Sequence, residues 1–197
     1  MAKFLNEKAQ ASAPFELFVA VIIMAFVVVV GYTMLERVND EVCLNSVDKE
    51  MTKFKTNLEE TVSRKSTKQF TFTPQDRCFS SKYTTMKIEL ERKRDTCAAR
   101  CSYPSDQCYV MTYYNPNIAE AFRQKCLDLP PLTTFLTDSC PSEGIGEGDA
   151  ALTSSGYTAI DPTNPADSNR IDKGSYITKN ISPAGETYPR ICVYYKP

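Results

Sequence analysis

The residues of this chain best equipped for chemistry are its eight cysteines, Cys43, Cys78, Cys97, Cys101, Cys108, Cys126, Cys140 and Cys192. A thiolate can attack a disulfide, ligate a metal or be consumed in a structural disulfide, and spacing and company decide among these. The tightest pair, Cys97 and Cys101, is not the C-x2-C of thioredoxin-like or zinc sites. The chain contains no histidine, so the commonest general base and metal ligand is missing. A thiol–disulfide oxidoreductase working through Cys97 and Cys101 is therefore the weakest functional reading, and no catalytic residue, cofactor or small-molecule substrate is expected. Even in number and all following one long apolar segment, the cysteines read as four disulfides formed in an oxidising exterior; a metal site or free buried thiols are the competing readings. Eight cysteines allow about a hundred pairings, and the sequence does not choose among them.

Two further groups of polar residues have a chemical reading. Asp161, Asn164, Asp167, Asn169 and Asp172 are oxygen ligands of the kind hard cations prefer, but they lack EF-hand spacing and its closing Glu. A solvated turn is expected there rather than calcium, and no metal is assigned. Asn180-Ile181-Ser182 is an N-glycosylation sequon. The formal net charge is −1, with Lys and Arg scattered among Asp and Glu, which leaves no basic field to hold nucleic acid.

The element that must carry these residues is a membrane helix. Leu17–Leu35 has no charged residue and is bounded by Glu16 and by Glu36-Arg37. About twenty apolar residues suffice for a helix to cross the hydrocarbon core, and in lipid a helix satisfies its own backbone, so the run Val27–Val30 does not argue for a strand. The preceding residues 1–11 carry Lys3 and Lys8 against Glu7, a slightly basic leader that the positive-inside rule places in the cytoplasm, with the cysteines outside. A secretory signal would have a shorter apolar core, so the segment is expected to stay as an anchor.

The apolar positions then continue as Leu35, Val38, Val42, Val47, Met51, Phe54, Leu58 and Val62, mostly three or four apart, with charged residues between. That is one stripe of an amphipathic helix, and neither Gly nor Pro interrupts it from Tyr32 to Ser66. A helix over residues 12–66, with its span at 17–35, is predicted, followed by one extracellular head over 67–197.

The stretch Lys8-Ala9-Gln10-Ala11-Ser12-Ala13-Pro14-Phe15-Glu16-Leu17 ahead of the apolar run resembles the processing region of archaeal type IV pilin-like proteins, which carry class III signal peptides. The resemblance covers about the first 60 residues. It implies cleavage on the cytoplasmic side around Lys8, Ala9 and Gln10, retention of the apolar helix as a filament core, and a Glu16 that neutralises the N-terminal amine of a neighbouring subunit. Glu16 is seventh after a cut before Gln10, and fifth, the family's position, after a cut before Ser12. A second reading makes Glu16 an interfacial cap favoured by the helix dipole.

Past Ser66 the period changes from helical to alternating. Gln69–Thr73 reads as a short strand, Thr85–Glu91 as a half-buried one with Met86, Ile88 and Leu90 inward, and Cys108–Tyr114 as a central one, apolar on both faces. Glu91–Asp95 is expected to be a charged turn and Cys97–Cys108 a stapled loop. Asn117 with Glu120 predicts a cap for a short helix whose Ile118, Phe122 and Cys126 share a face, stopped by Pro130-Pro131. Residues 142–185 hold six of the seven glycines and read mostly as loop, with Ser175–Thr178 a weak strand; Arg190–Tyr195 closes the chain as another. The fold class expected is α+β: a long N-terminal helix, membrane-spanning then amphipathic, packed on a disulfide-stapled antiparallel sheet of about four strands. The function expected is structural, a subunit of an archaeal type IV pilus-like surface filament whose partners are the membrane and further copies of itself. A single-pass membrane-anchored adhesion or recognition ectodomain is the alternative.

Overall fold

The computed structural model describes residues 6–79, 84–118, 122–142, 152, 155–164, 170–183 and 185–197, with the backbone alone for 6–14. Among the described residues ten elements follow one another: α1 (Asn6–Arg64), β1 (Thr67–Phe72), β2 (Thr85–Glu91), α2 (Arg94–Cys101), β3 (Cys108–Tyr114), β4 (Phe122–Leu127), β5 (Thr134–Leu136), β6 (Thr158–Ile160), β7 (Gly174–Asn180) and β8 (Arg190–Lys196). The class is α+β, as expected. The chain divides into two units, Met1–Val42 and Cys43–Pro197.

In the first unit every described side chain is exposed save the half-buried Asp40. Large apolar groups stand in the open, Leu17 at 70% and Met24 at 71% of full exposure. This is one helical segment long and apolar enough to cross a membrane. Leu35, Val38 and Val42, the first residues of the predicted stripe, are exposed with it.

In the second unit the stripe is buried. Cys43, Val47, Met51, Phe54 and Leu58 are fully buried, and Leu44 and Val62 nearly so, all in one core with both sheets. Phe54 is its centre, edge-on to Phe70 at 5.1 Å, to Tyr176 at 5.2 Å and to Phe72 at 6.3 Å. The helix ends at Lys65, which takes the left-handed conformation (φ 48°) usually left to glycine, and the amide of Ser66 returns to the carbonyl of Thr61.

The head holds two sheets rather than one, and the five-stranded sheet is mixed. Its order is β1-β7-β8-β5, with β6 also on β8; β5 and β8 run parallel, the other pairs antiparallel. The other sheet, β2-β3-β4, is antiparallel, with the central β3 covered on both faces as its apolar run predicts. β5 and β6, which go beyond the four or so strands expected, are three residues each, too short for alternation to register. The weak strand expected at Ser175–Thr178 is β7, longer than read and lying between β1 and β8, with Tyr176, Ile177 and Thr178 all buried.

Three further expectations are corrected. Phe122–Leu127 is the edge strand β4, not a helix: Phe122, Gln124 and Cys126 alternate with Arg123, Lys125 and Leu127, and six pairings to β3 outweigh the helical spacing. Asn117 caps no helix there; its amide donates to Oδ1 of Asn115 at 2.9 Å, while Glu120 lies outside the described residues. The Cys97–Cys108 segment opens with α2 rather than loop, and Glu91 and Arg94-Asp95 belong to β2 and α2, leaving only Arg92-Lys93 between them.

Candidate functional site

The cysteines form four disulfides, each with a Cα separation of 5.5–5.8 Å, within the range a bridge requires. Cys43–Cys78 ties α1 to the turn after β1. Cys97 and Cys101, four apart, share one face of α2, and that face lies on the outer side of the three-stranded sheet. Cys97 bonds to Cys108 on β3 and Cys101 to Cys126 on β4, forming a small cluster with Val110. The two cysteines considered for thiol exchange are thus partnered elsewhere, not with each other. Cys140–Cys192 fastens the segment after β5 to β8.

Polar contacts from α1 complete the frame. Lys55 donates to the carbonyl of Cys126 at 2.6 Å, Lys125 pairs with Asp48 at 2.8 Å, and Glu59 accepts from the amide of Asp128 at 2.5 Å, all toward β4. Toward the larger sheet, Lys53 donates to the carbonyl of Thr71 and Lys68 pairs with Glu60, both at 2.6 Å. That ion pair holds the Glu60 carboxyl below its usual range, its hydrogen bond with Lys68 being the main cause. On β2, burial acts to raise the Glu89 carboxyl, but hydrogen bonds from Lys87 and Arg100 outweigh it and the net shift is downward.

Of the remaining predicted sites, Glu16 is exposed on the apolar segment of α1, and Lys8, Ala9 and Gln10 lie within the helical backbone that begins at Asn6. Asn180 ends β7. Its amide nitrogen, the atom a glycan would occupy, donates to the carbonyl of Val62 at 3.3 Å, and its Oδ1 accepts from Ser182 at 3.0 Å. The hydroxyl of Ser182 takes the amide of Arg190 at 2.8 Å. The sequon is built into the seam between α1, β7 and β8.

Asp161 and Asp172 are not gathered into a cation site. Oδ1 of Asp161 accepts from the amide and hydroxyl of Thr163, and Oδ1 of Asp172 from the amide of Lys173. Asp167 and Asn169 lie outside the described residues, among which no three His, Cys, Asp or Glu side chains converge.

Sequence reasoning missed a cleft beside β5, lined by Leu132, Leu136, Ile181, Glu186, Tyr188 and Arg190 among others. These residues come from two stretches far apart in the chain, one at β5 and one between β7 and β8, so no local spacing could mark them. No known protein family matches the chain, and no curated protein or solved structure is significantly similar to it.

Proposed function

We propose that this protein is a structural subunit of an archaeal type IV pilus-like surface filament, anchored and assembled through the first part of α1 with its head in the oxidising exterior. The observation that carries the reading is the division of labour along one uninterrupted helix. Its residues 15–42 are exposed save the half-buried Asp40, whereas Cys43 to Val62 supply the central stripe of the head's core. A plain anchor needs only about twenty apolar residues joined to a domain by any linker. A helical segment that continues from the anchor into the head's core is what a subunit assembled through its N-terminal helix would use. The likeness of Lys8–Leu17 to class III processing regions supports the same reading, as do four disulfides, which persist in oxidising compartments.

On this reading the N-terminus is cytoplasmic and the leader is removed near Lys8, Ala9 and Gln10. Glu16 offsets a neighbour's amine in a setting where an unpaired charge is costly. Electron microscopy of cells carrying the wild type and Glu16→Ala, with intact-mass measurement of the mature protein, tests it. Filaments containing a shortened chain are expected in the wild type, and their loss in the variant with the protein retained in the membrane. A monodisperse wild-type monomer without filaments overturns the proposal.

A further inference from the structure

A cleft of about 560 Å³ opens at the β5 end of the five-stranded sheet. It is lined by Leu136 of β5, Arg190 of β8 and Ile181, with Leu132 and Tyr188, each half exposed. Three observations single it out.

The first is backbone strain. Leu132 has φ 63°, a left-handed conformation that costs a residue with a Cβ roughly 1–2 kcal/mol. It is held by its neighbours: the amide and hydroxyl of Thr133 both donate to the carbonyl of Pro130, and the buried hydroxyl of Tyr109 donates to the carbonyl of Thr133 at 2.5 Å. The consequence is an apolar side chain fixed at the mouth of the cleft instead of packed away.

The second is an unsatisfied carboxylate. Oε2 of Glu186 is shut off from solvent without a hydrogen bond, and Oε1 is 3.5 Å from the Arg190 guanidinium, a loose pair. Oε1, held only by that loose contact, is the oxygen left to take a further donor from the cleft.

The third is rigidity of the walls. Ser139 precedes Cys140, whose disulfide to Cys192 clamps that wall against β8, and Cys192 is the β8 partner of Leu136. On the far side the amide of Glu186 returns to the carbonyl of Pro183 at 3.1 Å, in a turn that uses Gly185 at φ 90°. A preformed cleft loses little entropy when filled.

The chemistry of the lining defines the occupant. Leu132, Leu136, Ile181 and Tyr188 suit an apolar side chain. Glu186 lacks a donor, and the half-exposed Arg190 can donate to a carbonyl. The two opposite charges favour a neutral dipolar group over a net cation or anion. An apolar side chain flanked by one N–H and one C=O is a residue of a polypeptide, and among the described residues β5 pairs on one side only, which leaves an edge for an extended strand. We propose that this cleft binds an extended peptide segment of a partner protein, taking one apolar side chain between Leu132 and Tyr188 and holding its backbone with Glu186 and Arg190. The inference does not depend on filament formation.

The test uses the full chain in detergent micelles, followed by methyl NMR while N-acetyl-leucine N-methylamide is added, with N-acetyl-glycine N-methylamide as control. Saturable shifts of the Leu132, Leu136 and Ile181 methyls are expected, with the glycine probe weaker by about tenfold or more. Glu186→Ala is expected to weaken the leucine probe on the order of tenfold, and Ser139→Phe, which narrows the cleft without touching either charge, to abolish saturation. Unsaturated shifts, equal responses to the two probes, or unchanged binding to Ser139→Phe overturn the proposal.

Discussion

Thr61 and Thr178 show how much one pair of hydroxyls settles. Both are fully buried, their oxygens 2.6 Å apart, and Thr61 also donates to the carbonyl of Asn57 at 2.8 Å. A hydroxyl has one proton, so Thr178 must be the donor between the two. Thr61→Val therefore strands the Thr178 hydroxyl in the core, and about 1–3 kcal/mol of stability should be lost. Adding Thr178→Val to that variant should recover part of the loss, because both partners are then apolar and of similar shape. Thermal unfolding of the three variants by circular dichroism checks this; additive losses would show the pair to be uncoupled. The same scale governs the cysteines. Peptide mapping of unreduced protein should find Cys43–Cys78, Cys97–Cys108, Cys101–Cys126 and Cys140–Cys192 and no free thiol, each bridge contributing on the order of 2–4 kcal/mol. Alkylation of native protein at any of the eight would contradict it.

Among the elements, α1 from Cys43 onward does most of the organising. Its stripe meets β1 and β7 through the Phe54, Phe70, Phe72 and Tyr176 rings, and its flanks reach β4 through Lys55 and Glu59. Phe54→Ala removes the one ring common to those contacts, and a loss of roughly 3–5 kcal/mol is expected from chemical denaturation. A loss below about 1 kcal/mol would mean that the core collapses around the gap. α2 is the opposite case. Eight residues are too few for a stable helix in water, so its order rests on the bridges from Cys97 and Cys101. The double replacement Cys101→Ser with Cys126→Ser should raise amide exchange in α2 well above that in β3, read by hydrogen-exchange mass spectrometry; equal protection would place its stability elsewhere.

For the whole molecule, buried tyrosines set a limit at high pH. Burial raises the phenols of Tyr109, Tyr113, Tyr176, Tyr194 and Tyr195 above their ordinary value. Below pH about 10 both folded and unfolded chains keep these protons. Above it the unfolded chain releases them while the folded chain retains them, so stability falls as pH rises toward the raised native values. The share of tyrosinate absorbance that these five contribute should therefore rise together with the loss of near-ultraviolet circular dichroism in one cooperative alkaline step. Gradual ionisation of these five phenols with the fold intact would contradict their burial. At the same scale, the uncovered apolar segment Phe15–Leu35 should keep the chain in the membrane fraction at high salt and release it only to detergent.

The sequence alone determined the long helix, the phase of its core stripe from Val47 to Val62, the strands at Thr85–Glu91 and Cys108–Tyr114, and the even, one-sided cysteines, because each depends on residues close in the chain. Hydrophobic period and apolar length are local quantities, and they survive whatever the rest of the molecule does. Tertiary structure decided what rests on residues far apart. Phe122–Leu127 carries a helical spacing and a strand alternation at once, and only pairing with β3 and the bridge from Cys101 selects the strand. β7 reads only as a weak strand within a loop until β1 and β8 pair with its two edges and α1 packs on it, which turns Thr178 into a core residue. Four disulfides were legible, but which four required knowing which thiols lie within bridging distance. The cleft beside β5 left no trace in the sequence, since Leu132, Ile181 and Arg190 converge only after β5 and β8 pair.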